Sequence, residues 1–234
     1  NIQAEARKVR YNILSTFCKK NKIKVILTAH NLEDQVETFL MRLSRGSGLR
    51  GLSAMKSLSK INNQVSLFRP LLDTRKQFLI KISKNIFGKY IKDPSNKNKK
   101  YLRTKVRNLK GPLEKSGIMY EKIFKSIQNL SISKTTLEGY LNKIFKELIK
   151  KKKGEILINL KKYRDLSKDT KIALINKSVK QLKRNYYDLR SKKVQNLIGN
   201  LDKKEFKSST LGGCIFFKKG ENLCLKVEKR LSSK

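Results

Sequence analysis

The chain has 234 residues, and its 57 Lys and Arg against 18 Asp and Glu give a formal net charge of +39. Hydrophobic residues make up 38%, which excludes a wholly disordered chain, and a charge of this size repels itself unless a polyanion is near; nucleic acid is the usual one. The three cysteines, Cys18, Cys214 and Cys224, form no CxxC pair, and no apolar stretch approaches the roughly 20 residues that span a bilayer, so disulfide scaffolds, zinc sites and membrane spans are all disfavoured.

No secretory signal is evident, and the expected location is the cytoplasm. Lysine is spread along the chain rather than gathered in one patch, so part of the excess is the drift expected of an AT-rich coding sequence. In chain order, residues 2–20 place Val9, Ile13, Leu14 and Phe17 at helical spacing. Residues 23–29 form a short apolar run rich in β-branched side chains, the pattern of a buried strand. Helical periodicity returns over residues 32–43, with Val36, Phe39, Leu40 and Leu43 on one face, and Gly46 and Gly48 stop it. Residues 65–68 are a second strand candidate ended by Pro70, and residues 74–87 are helical again. This alternation predicts an α/β fold whose first domain, residues 1–112, is a partial Rossmann-like parallel sheet covered on both faces.

All three prolines, Pro70, Pro94 and Pro112, lie in the first half, and the shift in composition puts a boundary near Gly111-Pro112. Residues 113–201 read as a helical domain with one strand candidate at 155–160. Residues 202–234 read as the start of a small α+β domain, because the apolar runs 213–217 and 222–227 flank a Gly220 turn.

The turn after the first strand carries the chemistry-bearing residues, since ligands of open α/β sheets bind outside the carboxyl ends of strands. Asp34 and Glu37 are three residues apart and point away from the apolar stripe, a carboxylate pair able to hold an ammonium group or a metal ion. Helix initiation offers a plainer account: Asn31 is a good N-cap, and Glu33 and Asp34 each favour the helix dipole by about 0.3–1 kcal/mol. His30, the single histidine, has a plain reading as a loop residue. Arg103 and Arg107 are four residues apart, a spacing that lets both forks face one phosphate, whereas Arg7 and Arg10 on a helix are by default solvated. Cys214 reads as a small buried hydrophobe.

A longer pattern decides between these readings. The stretch from Thr28 to Leu52, TAHNLEDQVETFLMRLSRGSGLRGL, resembles the TAHHxDDQxETxLxRLxRGSGxxGL motif of the tRNA(Ile)-lysidine synthetases, departing from it at Asn31 and Glu33. Ala6 to Tyr11 resembles the family's ARxxRY helix, and Arg69-Pro70-Leu71-Leu72 with Arg75 resembles its RPLL segment. Asp93-Pro94-Ser95-Asn96 with Tyr101, Arg103 and Arg107 is similar to DPSNxDxxYxRNRIR, although Asn98 and Thr104 replace an Asp and an Asn. Thr210 to Cys214 resembles the family's TLGGC segment.

The resemblance implies an N-type ATP pyrophosphatase that adenylates the wobble cytidine of CAU-anticodon tRNA(Ile) and lets free lysine displace AMP at C2. It casts Asp34 and Glu37 as lysine-binding and, with His30, catalytic residues. Arg7, Arg10 and Arg103 are expected at ATP, and Arg45, Arg50 and Arg107 at tRNA. ATP and Mg²⁺ are the expected cofactors, no residue is assigned to a resident metal, and a homodimer is implied. The family's SGGxDS phosphate loop belongs upstream of the ARxxRY helix and is not among these 234 residues, so the chain is expected to begin inside the domain and to turn over poorly as it stands. The alternatives are a tRNA 2-thiolation enzyme of the same superfamily, disfavoured by the lack of a CxxC pair, and a non-catalytic basic RNA-binding remnant, disfavoured by the retained carboxylates.

Overall fold

Two short apolar segments, β1 (Val25–Leu27) and β3 (Ser66–Phe68), pair in parallel with Ile26 opposite Leu67. The computed structural model describes residues 2–91, 101–152, 154–183, 189–201 and 205–228. A parallel pair needs a crossover, and here it runs through α2 (Leu32–Leu43), α3 (Leu49–Leu52) and β2 (Leu58–Lys60). The strand order is β1-β3-β2, and β2 lies antiparallel to β3. The sheet is therefore mixed rather than wholly parallel; the Leu-Ser-Lys of β2 is too short and too polar to show as a strand in sequence. The chain divides into two units, residues 1–134 and 135–234.

In the first unit, α1 (Ile2–Lys20) precedes β1, and α4 (Lys76–Phe87), α5 (Leu102–Asn108) and α6 (Lys110–Lys115) follow β3. The first part of α7 (Tyr120–Leu148) also belongs here. Leu32, Val36 and Ala54 form a core with Tyr120 and Ile127, and Phe39 and Leu40 pack at its edge. Leu43, expected on the same stripe, is exposed because the helix ends there. The burial expected of β1 does not hold, since Val25 is 45% and Leu27 65% exposed, and on α1 Val9, Ile13 and Phe17 are exposed while Cys18 is buried. The DPSN segment, Asp93 to Asn96, and Asn98 lie outside the described residues.

The second unit is built on a five-stranded antiparallel sheet, β4-β5-β8-β7-β6. Its strands are β4 (Ile149–Lys152), β5 (Glu155–Asn159), β6 (Ser208–Leu211), β7 (Cys214–Lys219) and β8 (Asn222–Val227). The expected strand at 155–160 is present as β5, but it has a partner hairpin strand and pairs across to β8. Ile156, Leu225 and Phe216 stand in one row across three strands and are buried, as period-two alternation requires. After α8 (Leu160–Arg164), the helices α9 (Lys168–Leu182) and α10 (Ser191–Leu201) supply Leu174, Ile175, Val179, Val194 and Leu197 to that face. Gly220 at φ +57 makes the β7–β8 turn, as expected of a hairpin glycine.

Candidate functional site

The carboxyl ends of β1 and β3 open onto the start of α2. The Thr28 amide donates to the Phe68 carbonyl at 3.0 Å, carrying the parallel register one step past the strands. Asn31 then caps α2: its Oδ1 accepts from the Asp34 amide at 3.0 Å while Asp34 Oδ2 accepts from the Asn31 amide at 3.1 Å, a closed capping box. The Leu32 amide donates to the Thr74 carbonyl at 3.0 Å. The first turn of α2 is thus satisfied by its own neighbours and does not present a set of free amides to a phosphate.

Asp34 keeps its second oxygen for an arginine. Arg103 Nη2 donates to Asp34 Oδ1 at 2.9 Å and its Nε to Glu37 Oε2 at 2.8 Å. Arg107 donates to both oxygens of Glu37, from Nε at 2.7 Å and from Nη2 at 3.1 Å. Glu37 is 2% exposed, whereas the side chains of Asp34, Arg103 and Arg107 are 21%, 35% and 31% exposed. The four charges cancel, and Glu37 sits beneath, holding two guanidiniums whose outer edges reach the surface. The hydrogen bond to Glu37 raises Arg107 above its ordinary value, against burial, with the Glu37 and Asp34 charges adding to the rise.

The structure brings together only part of the set expected from sequence. Asp34, Glu37, Arg103 and Arg107 form one cluster, and His30 stands beside it, its Nδ1 2.9 Å from Thr28 Oγ1. Arg7 and Arg10 are exposed on α1, with the Arg7 guanidinium 5.2 Å from the centroid of the Tyr11 ring. Arg45 follows α2 and Arg50 lies on α3, both exposed. Burial holds His30 below the ordinary imidazole value of 6.5; Asp34 opposes this, and Arg69, Arg7 and Arg103 push the same way as burial. A base whose folded value is depressed binds fewer protons than the unfolded chain, so the stability of this unit should decline as pH falls below about 6.5. Urea unfolding over a pH series checks this: His30→Gln should flatten that decline, and equal slopes for the two proteins would refute it.

Several motif residues serve the scaffold instead. Gln35 grips the Met55 backbone twice, Nε2 donating to its carbonyl at 2.9 Å and Oε1 accepting from its amide at 2.8 Å. Arg42 Nη1 donates to the carbonyls of Gly51 at 2.7 Å and Ala54 at 2.9 Å, so α3 and the turn after it are strapped to α2. A Cβ on Gly51 would stand 2.7 Å from Ser47 Cβ, so this turn closes only around a glycine. Glu33, one of the two motif departures, accepts from the Lys76 amide at 2.9 Å and so satisfies the start of α4. Replacing Gln35 by Ala leaves both Met55 groups without their partner and should cost about 1–3 kcal/mol in urea unfolding; a change within experimental error would show that water replaces the clamp.

Two further buried residues had no role assigned from sequence, Tyr120 and the Arg69 of the Arg-Pro-Leu-Leu segment. Tyr120 is 1% exposed, its hydroxyl has no partner, and burial foremost, with Glu37 adding, pushes it up to about 12. Arg69, one residue beyond β3, is also buried, at 7% exposed. Tyr120 carries no spacing signal, because tertiary packing alone brings it into the core with Leu32 and Val36. Among the described residues, no group of three or more His, Cys, Asp or Glu gathers as a metal site.

A PP-loop domain (ATP_bind_3) matches residues 1–113. The tRNA(Ile)-lysidine synthase of Wolbachia pipientis wMel is 34% identical over 227 residues, covering 96% of this chain and 52% of that protein. That of Orientia tsutsugamushi (strain Boryong) is also 34% identical over 227 residues, covering 92% of this chain and 50% of its own length. The chain therefore spans about half the length of the curated relatives it matches. The solved U34-tRNA thiolase NcsA from Methanococcus maripaludis with its [4Fe-4S] cluster is similar at a TM-score of 0.44 and 23% identity, over 56% of this chain and 44% of that one.

Proposed function

We propose, from the PP-loop match over residues 1–113, that the chain serves the ATP-dependent transfer of lysine to C2 of the wobble cytidine of CAU-anticodon tRNA(Ile). The observation that carries this reading is the Asp34–Glu37–Arg103–Arg107 cluster, in which an accessible carboxylate and two outward guanidinium edges lie side by side at the carboxyl end of β1. Lysine brings an ammonium and adenylate chemistry brings phosphoryl oxygens, and the cluster offers a partner to each.

Asp34 takes the lysine ammonium, being the more exposed of the two acids. Glu37 acts through the arginines: with each oxygen engaged, it fixes the forks of Arg103 and Arg107. Those forks face the charge that gathers on the phosphoryl group as AMP departs. ATP supplies the activation that makes C2 electrophilic. The lysine ε-ammonium gives up a proton to solvent and attacks as the amine, forming the new C–N bond while the bond from C2 to the oxygen leaving with AMP breaks. The second N–H proton is then released to solvent. His30, kept neutral by burial, stands 2.9 Å from Thr28 Oγ1 and lines the same end of the sheet. Mg²⁺ does not fit the Asp34–Glu37 pair, because two guanidiniums already neutralise it and would repel a dication, so no step is assigned to the metal.

Sulfur transfer is disfavoured by the chain's own thiols. Cys18, Cys214 and Cys224 are free but buried, and burial raises the latter two, so the nucleophilic thiolate is suppressed. The decisive experiment expresses whole the open reading frame that encodes this chain and measures ATP-dependent incorporation of labelled lysine into CAU-anticodon tRNA(Ile). Incorporation that requires the C of that anticodon supports the reading; ATP consumption with sulfur incorporation, or none of either with tRNA still bound, overturns it.

The +39 charge enters as the tRNA-facing term. Affinity for tRNA should fall by about 10³-fold or more between low and physiological salt if six or more phosphates are contacted. Filter binding across a salt series checks this, and a flat dependence would assign the excess lysine to composition alone.

A further inference from the structure

In the second unit, helical spacing at the end of α7 puts Asn142, Phe145 and Lys146 on one face, at i, i+3 and i+4. Strand β4 follows at once, and its register sets Lys151 opposite Ile156. Alternation therefore aims Lys151 at the side of the sheet that carries the buried row of Ile156, Leu225 and Phe216. An apolar residue there would extend the core. Instead the Lys151 ammonium stands 6.0 Å from the centroid of the Phe145 ring. From α9, Lys177 approaches the same ring at 4.5 Å and donates to Asn142 Oδ1. Phe145 itself is 5% exposed.

Lys146, Lys151 and Lys177 line one cleft with Asn142 and Gln181. A second cleft, lined by Lys152 and Glu155, shares Lys151 and Gln181 with the first, so the two run on as a groove between the β4–β5 hairpin and α9. Among the described residues no carboxylate forms an ion pair with Lys146, Lys151 or Lys177. An inward-pointing lysine on an edge strand blocks pairing between sheets, which accounts for Lys151. It does not account for Lys146 and Lys177, which come to the same cleft from two helices. Burial lowers Lys177 below its ordinary value, Lys151 and Lys146 push the same way, and Glu138 opposes them. Like charges gathered in a cleft without a counter-charge focus the field there and draw in an anion.

We propose that this groove of the second unit holds the phosphodiester backbone of an RNA, with Lys151 and Lys177 as its central contacts. Phosphate is the group recognised, not a base, because the covered Phe145 offers no open ring for stacking. Lysine ammonium groups are point charges with rotatable donors, which suit phosphate oxygens and carry no base selectivity. Two joined clefts follow a run of phosphates, whereas a lone ion needs only one closed pocket. The choice of tRNA as that RNA rests on the lysine-transfer reading above; the groove itself rests on the geometry of α7, β4 and α9.

Filter binding of CAU-anticodon tRNA(Ile) to the full chain across a salt series tests it. Lys151→Met and Lys177→Met should each weaken binding by about fivefold at physiological salt, the loss of one charge-assisted contact. Each should also lower the slope of log affinity against log salt by about 1. Methionine keeps an apolar stem against Phe145, so the cleft wall survives the change. Lys177→Arg keeps the charge and should keep the unaltered chain's slope. Lys161→Met, at an exposed position of α8, removes the same charge and should leave affinity within about twofold, because isolated surface charge is screened. An unaltered slope in the Lys151→Met, Lys177→Met double variant would overturn the proposal. Displacement of the tRNA by inorganic phosphate at equal phosphate concentration would reduce the groove to a single-ion pocket and overturn it too. Slopes that fall as stated while the whole reading frame transfers no lysine would sink the enzymatic reading and leave the groove standing. Lysine transfer with slopes unmoved would sink the groove alone.

Discussion

Replacing Glu37 by Ala should destabilise the first unit by about 3 kcal/mol, the low end of the range for breaking a buried ion pair. The residue is 2% exposed and its two oxygens accept three hydrogen bonds from Arg103 and Arg107. Without it, two guanidiniums converge with only Asp34 between them. Both are about one third exposed, so water relieves part of the penalty and the upper end of the range does not apply. Urea unfolding with hydrogen exchange of α2 and α5 amides separates this unit from residues 135–234, whose own core does not depend on Glu37. Glu37→Ala combined with Arg103→Met and Arg107→Met should recover part of the loss. A cost below about 1 kcal/mol would mean that the pairing is solvated and weak.

Asp34→Asn should lower kcat/KM for lysine by about 100-fold, the equivalent of roughly 3 kcal/mol for one ligand ion pair, while tRNA affinity stays within about twofold. The substitution preserves shape and leaves an acceptor for the Asn31 amide, so the capping box of α2 survives. What it removes is the carboxylate charge beside Arg103. Steady-state kinetics with lysine varied, on the protein expressed from the whole reading frame, provide the measurement. An unchanged KM for lysine would take the ammonium site away from Asp34 and leave that carboxylate as a helix cap and a partner for Arg103.

The two acids also show how far local pattern reaches. Helical spacing turned Asp34 and Glu37 away from Val36, whereas the resemblance set Arg103 at ATP and Arg107 at tRNA; the structure joins both arginines to the acids from more than sixty residues along the chain. Spacing did not reveal that Glu37 would be buried and Asp34 accessible. That difference arises because α5 lies across α2 and lays both guanidiniums over Glu37. Likewise Gln35, Arg42 and Gly51 belong to the same motif as the acids, yet they tie a turn to a helix. A string of letters does not separate residues that touch ligand from residues that hold the loop, because both kinds are fixed by spacing.

Sequence by itself determined the local elements: β1, β3, β5, the β7–β8 hairpin and the helices around them follow from periodicities of two and 3.6 residues and from turn glycines. It also determined the strongly basic character and, through contiguous motifs, the resemblance to the tRNA(Ile)-lysidine synthetases. Only the tertiary structure decided that β2 runs antiparallel, that residues 149–159 join the C-terminal strands in one sheet, and that Arg69 and Tyr120 are buried. The physical reason is common to all of these. They depend on pairings between residues far apart in sequence, where hydrogen-bond register and burial select the partner and no nearest-neighbour pattern encodes it.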